Sequence, residues 1–470
     1  MVYRVLLVVL FSALPLSASM ADHPDVLGAE RLFAGWLEGQ MLYRGLPGVA
    51  IGVVYDQELI WGRGFGFADV MKKVPMTATT KFRMASHSKL FTATAVMQLR
   101  DGGKLRLDDP VAKYLPWFRI QPSEADDPAI TIEELLTHSS GLPREAGPHW
   151  SDYDFPDAAG VRAYVLEHTA AYPPEVRWKY SNLGFTLAGM IVEAVSGEKY
   201  ADYVQRHIFD PLGMAGSSID RQVEGMATGY GRRMPDGSRK TLPFIDAHAM
   251  APATGVTSTV EDMAKLVSLQ FRKGKPGGSQ ILSTGALREM HRIRVLENNW
   301  TQGNAIGFAV NRVRDKVYVG HGGSYPGYKT QTLIQLDEKV GVIVLTNGDD
   351  SNPSDIANHL MQIVGEAVAK AAAPPAKPPM WDPSWRKFAG LYRSGNSDTI
   401  VVELNQSLVM IDPLSTSPET QNRLVPLGNG LFRLEALSGG GAVGEIVRFR
   451  EENGQIKRMY VGESYSERVP

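Results

Sequence analysis

Three short stretches carry side chains whose types and spacing can do chemistry. The first is Ser86-His87-Ser88-Lys89. On a helix, residues three apart share one face, one turn from each other, so the Ser86 hydroxyl and the Lys89 amine are neighbours. An amine in that position stabilises an alkoxide as an ammonium. It takes the hydroxyl proton if burial lowers its pKa from about 10.4 to neutrality, a shift of ~3 units or ~4 kcal/mol. The same S-x-x-K spacing occurs at Ser196–Lys199, read as a helix C-terminal turn, and at Ser384–Lys387, near the start of a C-terminal β segment. A helix N-cap serine followed by a solvated lysine also fits the residues at 86–89.

The second stretch is Tyr180-Ser181-Asn182, the one Y-x-N among 17 tyrosines. A phenol beside Lys89 is expected to have its pKa lowered by that positive charge and to exchange protons with Ser86. The Asn182 carbonyl can fix the lysine while its NH₂ holds a substrate carbonyl. The alternative is Asn182 as a helix N-cap with Tyr180 as packing. The third is Gly320-His321-Gly322-Gly323-Ser324, the one H-x-G among ten histidines, expected at a strand end. Glycines there let backbone approach a ligand closely, and the N–H groups of Ser86 and Ser324 face to face form an oxyanion hole. A lone histidine in a glycine-rich turn is the plainer reading.

The rest of the sequence narrows the chemistry. The chain has no cysteine, so thiolate nucleophiles, disulfides and thiolate metal sites are excluded. A net charge of -2, from 49 basic and 51 acidic residues, supplies no field for nucleic acid. There is no H-E-x-x-H, and the histidines are scattered, so neither a metal nor a cofactor is expected. Gly322-Gly323-Ser324-Tyr325-Pro326 only approaches G-x-S-x-G, and Gly62-Arg63-Gly64-Phe65-Gly66 lies in a hairpin strand instead of a strand-to-helix turn.

Elements that would position these groups follow from periodicity. Leu27–Met41, Leu90–Arg100, Ile132–Thr137, Ala158–His168, Gly184–Val195, Ala201–Phe209 and Val260–Arg272 have helical patterns. Val49–Tyr55 and Glu58–Phe65 form a hairpin across Asp56-Gln57. Strands return at Ala305–Arg312, Lys316–Gly320, Thr330–Gln335 and Gly341–Thr346, followed by a helix over Ser354–Ala369. Helices lying between an early hairpin and late strands predict an α+β domain, one antiparallel sheet flanked by helices. The expected organisation is a signal peptide over residues 1–21, a catalytic domain over 22–370, a Pro/Ala-rich linker over 371–380 and a small all-β barrel over 381–470. Arg4, the short apolar run Val5–Leu16, and Ser19 and Ala21 at the −3 and −1 positions make an export signal the expectation. A membrane anchor or a buried helix is the competing reading. The product would be periplasmic or secreted, with no stable membrane insertion after cleavage.

In order and spacing, these motifs resemble the serine β-lactamase-like hydrolases. The nearer likeness is to the branch holding class C β-lactamases, D-alanyl-D-alanine carboxypeptidases, D-aminopeptidases and β-lactamase-fold esterases. Phe82-Arg83-Met84-Ala85, Leu135–Pro143, Pro252–Met263, Gly327-Tyr328 and Val344–Asn347 add to the likeness, which spans Leu27 to Val368. The resemblance implies an acyl-enzyme on Ser86, with Lys89 handling its proton and Tyr180 as general base and then acid. It also implies that Asn182, His321 and Gly323 position the substrate and that the N–H groups of Ser86 and Ser324 hold the oxyanion. Class C β-lactamases carry Lys-Thr-Gly where His321 stands, and esterases often a tryptophan. A histidine there, together with a linker to a lipocalin-like barrel, suits a peptidase acting on short linear peptides, D-residues included. Ester or β-lactam hydrolysis, or a penicillin- or peptide-binding sensor without turnover, are the other readings.

Overall fold

The chain is described as a computed structural model covering residues 19–272, 274, 279–313, 315–373, 381–395, 397–414, 422–436 and 442–470. Residues 1–18 of the expected signal peptide, 374–380 of the linker, and the turn residues Asn396 and Gly439–Gly441 lie outside these. Two compact units meet in sequence at Ala372/Ala373.

The first unit is built on a nine-stranded antiparallel sheet. Strands β1 (Gly48–Tyr55) and β2 (Glu58–Asp69) form the expected hairpin. The late strands are β3 (Ala309–Val313), β4 (Lys316–Tyr325), β5 (Tyr328–Gln335) and β6 (Val340–Thr346). Their order across the sheet is β2-β1-β6-β5-β4-β3, extended by short strands at both edges. Both faces of β1 and β6 are covered, which explains why these strands read as unbroken apolar runs. Val49, Ile51, Val53, Val342 and Val344 pack under α1 (Pro24–Arg44) and the helix α6 (Pro353–Leu360). The alternate residues Ala50, Ile343 and Leu345 join the larger core on the opposite face. That core holds α2 (Ser88–Asp101), α3 (Ile132–Thr137), α4 (Asn182–Ser196) and α5 (Val260–Phe271).

Two expectations shift. Residues Ala305–Phe308 form a bend whose Gly307 N–H donates to Leu136 O, so β3 starts only at Ala309. The strand expected to stop at Gly320 runs on to Tyr325, because β5 supplies a pairing partner for every residue. Since β3 pairs β4 only as far as Gly320, residues 321–325 keep their other edge open.

The second unit is a closed eight-stranded antiparallel barrel, β7–β14, from Gly390–Ser394 through to Ser464–Arg468. Its interior is filled by Tyr392, Leu408, Leu424, Phe432, Val447 and Met459, among others. Asn422–Gly428 and Ser464–Arg468 are strands that hydropathy does not reveal, because Pro426 and polar residues interrupt the alternation.

His87 and His138 are among the buried histidines of the first unit. His87 is fully buried, and burial pushes its imidazole down to about 3; burial likewise holds His138 well below 6.5. On unfolding both return to ordinary values and take up protons below about 6.5. Stability is therefore complete above that pH and falls as pH drops toward 4, by about 1.4 kcal/mol per pH unit for each proton bound. Urea midpoints of the first unit measured between pH 7.5 and 4.5 should fall steeply below about 6.5. A flat profile would mean that these imidazoles are charged in the native state.

Candidate functional site

Phe82–Arg83 pairs with Val256–Ser258, and the chain then turns through Ala85, a non-glycine residue held at φ 51°. That left-handed geometry is strained in an L-residue. It is fixed by the Met84 N–H donating to Val256 O and by the Ser88 hydroxyl donating to Ala85 O. The short 3₁₀ turn Ala85–His87 leads into α2, so Ser86 stands just ahead of the helix and Lys89 in its first turn. His87 clamps this turn to β5, with Nδ1 2.9 Å from Thr330 Oγ1 and Nε2 3.1 Å from Thr332 Oγ1. On β4, a Cβ at Gly323 would stand 2.5 Å from Met84 O and 2.3 Å from Thr330 Oγ1. Only glycine lets the serine turn lie this close to the strand.

Lys89 is completely buried. Its Nζ lies 2.7 Å from Asn182 Oδ1, 2.9 Å from Ala253 O and 3.3 Å from Ser86 Oγ. Burial holds its pKa well below 10.5; the nearby Glu145 carboxylate opposes that shift and Arg144 adds to it. A neutral amine has two N–H bonds and one lone pair. The surroundings offer two carbonyl acceptors and one hydroxyl; the carbonyls take two N–H bonds, and in the neutral form the lone pair can face Ser86.

Tyr180 closes the other side, its hydroxyl donating to Ser86 Oγ at 2.8 Å. The expectation of a lowered phenol pKa is corrected: burial pushes Tyr180 up to about 12. The lysine that was to lower it is itself buried, with its own pKa held well below 10.5. His138, at a left-handed helix end, has its ring 4.3 Å from that of Tyr180, and its Nδ1 accepts the Ser181 N–H at 3.1 Å. The Arg144 guanidinium lies 4.9 Å from the centre of the Tyr180 ring.

Ser181, not Asn182, caps α4, its hydroxyl accepting the Gly184 N–H. Asn182 is thereby free to face Lys89. Its Nδ2, expected to await a substrate carbonyl, already donates to Glu145 Oε1 at 2.7 Å. Glu145 in turn holds Arg144 Nε at 3.1 Å and His149 Nε2 at 3.1 Å.

His321 lies within β4, in neither a turn nor a strand end. Its ring centroid is 6.0 Å from that of His87, its Nδ1 is 2.6 Å from Gly322 O, and burial pushes it down to about 4. Ser324 follows on the open-edged stretch of the same strand. The fold thus brings Ser86, Lys89, Tyr180 and Asn182 into one hydrogen-bonded cluster, with the His321–Ser324 stretch packed against the serine turn at Gly323. Sequence reasoning missed three supports. His87 and His138 lay inside quoted motifs but were given no role. Glu145, a single acid in a loop, carries no periodic or motif signal.

Comparison with known proteins places the chain in a family. The family model described as Beta-lactamase matches residues 33–364. Penicillin-binding protein 4* of Bacillus subtilis (strain 168) is 26% identical over 312 residues, 62% of this chain and 66% of that protein. Protein flp of Staphylococcus aureus (strain N315) is 25% identical over 328 residues, 67% of this chain and 62% of that protein. The chain therefore matches under two thirds of the length of either relative. Among solved structures, the octameric penicillin-binding protein homologue from Pyrococcus abyssi superposes with a TM-score of 0.64 at 24% identity, covering 93% of this chain and 99% of that one. A D-stereospecific amidohydrolase from Streptomyces sp. gives 0.58 at 23% identity, covering 72% and 98%. These two structural likenesses are likenesses of fold. With the matched region spanning most of the chain and enclosing the whole Ser86 cluster, the protein belongs to the Beta-lactamase family, whose members are usually serine hydrolases.

Proposed function

We propose that the chain is an exported serine hydrolase that works through an acyl-enzyme on Ser86, and that it is a peptidase for short linear peptides, D-residues included. The observation that carries this reading is Ser86 Oγ held 3.3 Å from a buried amine and 2.8 Å from a phenol. Lys89, its pKa lowered by burial, takes the hydroxyl proton as Oγ attacks the substrate carbonyl. The N–H groups of Ser86 and Ser324 hold the oxygen that becomes negative. Tyr180 still carries its proton at neutral pH and gives it to the leaving nitrogen. The resulting phenolate then draws a proton from the attacking water, and Lys89 returns its proton to Oγ as the acyl group departs. Every group ends as it began.

An amide substrate fits this division, because a leaving amine needs a proton donor and Tyr180 is one. His321, neutral above about 4, lines the opposite wall without the fixed cation that would attract a substrate carboxylate. The printed names of the relatives, which include penicillin-binding proteins, support a second reading as a β-lactamase, or as a sensor that acylates without turnover. The barrel is read as a lipocalin-like appendage from its eight-strand closure.

A parallel screen of nitrocefin, p-nitrophenyl esters, D- and L-aminoacyl anilides and short peptides tests the substrate class. Turnover confined to the esters or nitrocefin would overturn the peptidase, and a stable Ser86 adduct without product would overturn the hydrolase. Ser86→Ala should abolish turnover and fluorophosphonate labelling. Tyr180→Phe should lower kcat about 10²–10⁴-fold with the fold intact. The rate should rise with pH as Lys89 loses its proton, with a midpoint well below 10.5, and decline only as Tyr180 ionises toward about 12. An acidic limb that stays in place in Lys89→Ala residual activity would assign it to another group. Gly323→Ala should displace the serine turn and reduce kcat. Gly322→Ala, where the added Cβ meets the end of the Gln331 side chain at 2.9 Å and the Thr330 carbonyl at an ordinary 3.7 Å, should stay within about twofold.

A further inference from the structure

A cavity sharing no residue with the Ser86 cluster opens between the C-terminal end of α1 and strand β2. Its volume is about 890 Å³, within the size range of small-molecule sites. Its wall is apolar, formed in part by Met41, Leu42, Phe67, Val70 and Met71. Several of these side chains would ordinarily be covered: Leu42 is 85% and Met71 83% exposed. The wall is also pre-formed. The Val70 N–H donates to Tyr230 Oη at 2.8 Å, which ties the loop after β2 to the body of the unit.

Charge at the rim has one sign in excess. Three arginines and one carboxylate, Glu38, line the cavity. Arg63 is paired with Glu38 at 3.0 Å and Arg239 with Asp350, leaving the Arg233 guanidinium with no ion pair among the described residues. Arg233 is nonetheless placed. It lies against the backbone at Gly45, where a Cβ would come within 3.1 Å of its Nε and where φ is +62°. An apolar cavity lined in part by a guanidinium with no ion pair among the described residues is complementary to a hydrocarbon chain with an anionic head.

We propose that this cavity binds a single-chain anionic amphiphile, a fatty-acid carboxylate or a single-acyl phosphate, with its head on Arg233 and its chain along Met41, Phe67 and Met71. The site is independent of the hydrolytic one. Titration calorimetry of the full chain with dodecanoate and with dodecyl phosphate, both below their micellar concentrations, should give saturable binding of one molecule per chain. Dodecyl maltoside, with the same tail and a neutral head, should bind at least about tenfold more weakly. Arg233→Glu and Met71→Asp alter exposed side chains that the fold does not need. Each should weaken dodecanoate about tenfold or more while leaving turnover of the hydrolase substrate unchanged. Equal binding of the neutral detergent, or binding indifferent to both substitutions, would overturn the proposal. So would sedimentation with phosphatidylglycerol vesicles in the absence of any binding of monomeric amphiphile, which would make this face a membrane contact.

Discussion

The burial of one lysine governs this molecule. Lys89 has no exposed surface, and an ammonium so placed is unfavourable unless it is neutralised or fully coordinated. The fold does not give it a carboxylate partner in contact. It gives two carbonyl oxygens, Asn182 Oδ1 and Ala253 O, and the Ser86 hydroxyl, while burial holds the lysine pKa well below 10.5. Desolvation thus shifts a surface-type side chain toward its basic form, and geometry places it beside Ser86. Removing either carbonyl would leave an N–H without an acceptor in a dry interior.

The elements around the lysine are arranged for close approach. α2 carries Lys89 and α4 carries Asn182, both within the larger core, so two packed helices fix their separation. On the opposite side the serine turn is pressed onto β4 and β5, which requires glycine at 323 and tolerates a left-handed alanine at 85. Strain of about 1–3 kcal/mol at such a residue persists only where its surroundings over-determine it. The hydrogen bonds of Met84, Ser88 and His87 do so here. His87 has a structural task in this arrangement: each of its ring nitrogens is hydrogen-bonded to a threonine hydroxyl of β5.

A second layer tunes the first. Glu145 receives the Asn182 amide and thereby orients its carbonyl toward Lys89, since one end of a planar amide fixes the other. The same carboxylate raises the lysine pKa against the effect of burial, while Arg144 lowers it. His138 packs its ring on Tyr180 and caps the following backbone, holding the phenol over Ser86. None of these three groups need touch a substrate. They set the protonation states and angles of those that would.

The sequence by itself determined the elements and the reactive groups. Alternation and helical periodicity are local properties, so the β1–β2 hairpin, α2, α4 and the late strands were legible, as were the three motifs whose residue types define the chemistry. What it could not determine was anything set by neighbours distant in the chain. The continuation of β4 through His321 to Tyr325 came from pairing with β5. The barrel strand through Pro426 came from pairing across the barrel. The rise of the Tyr180 pKa, against the fall expected beside a cation, came from burial that no spacing encodes. Glu145 acquired its place beside Asn182 only when the loop after α3 folded over α4. Residue identity fixes what a group can do; desolvation and the partners that folding supplies decide which of those things it does.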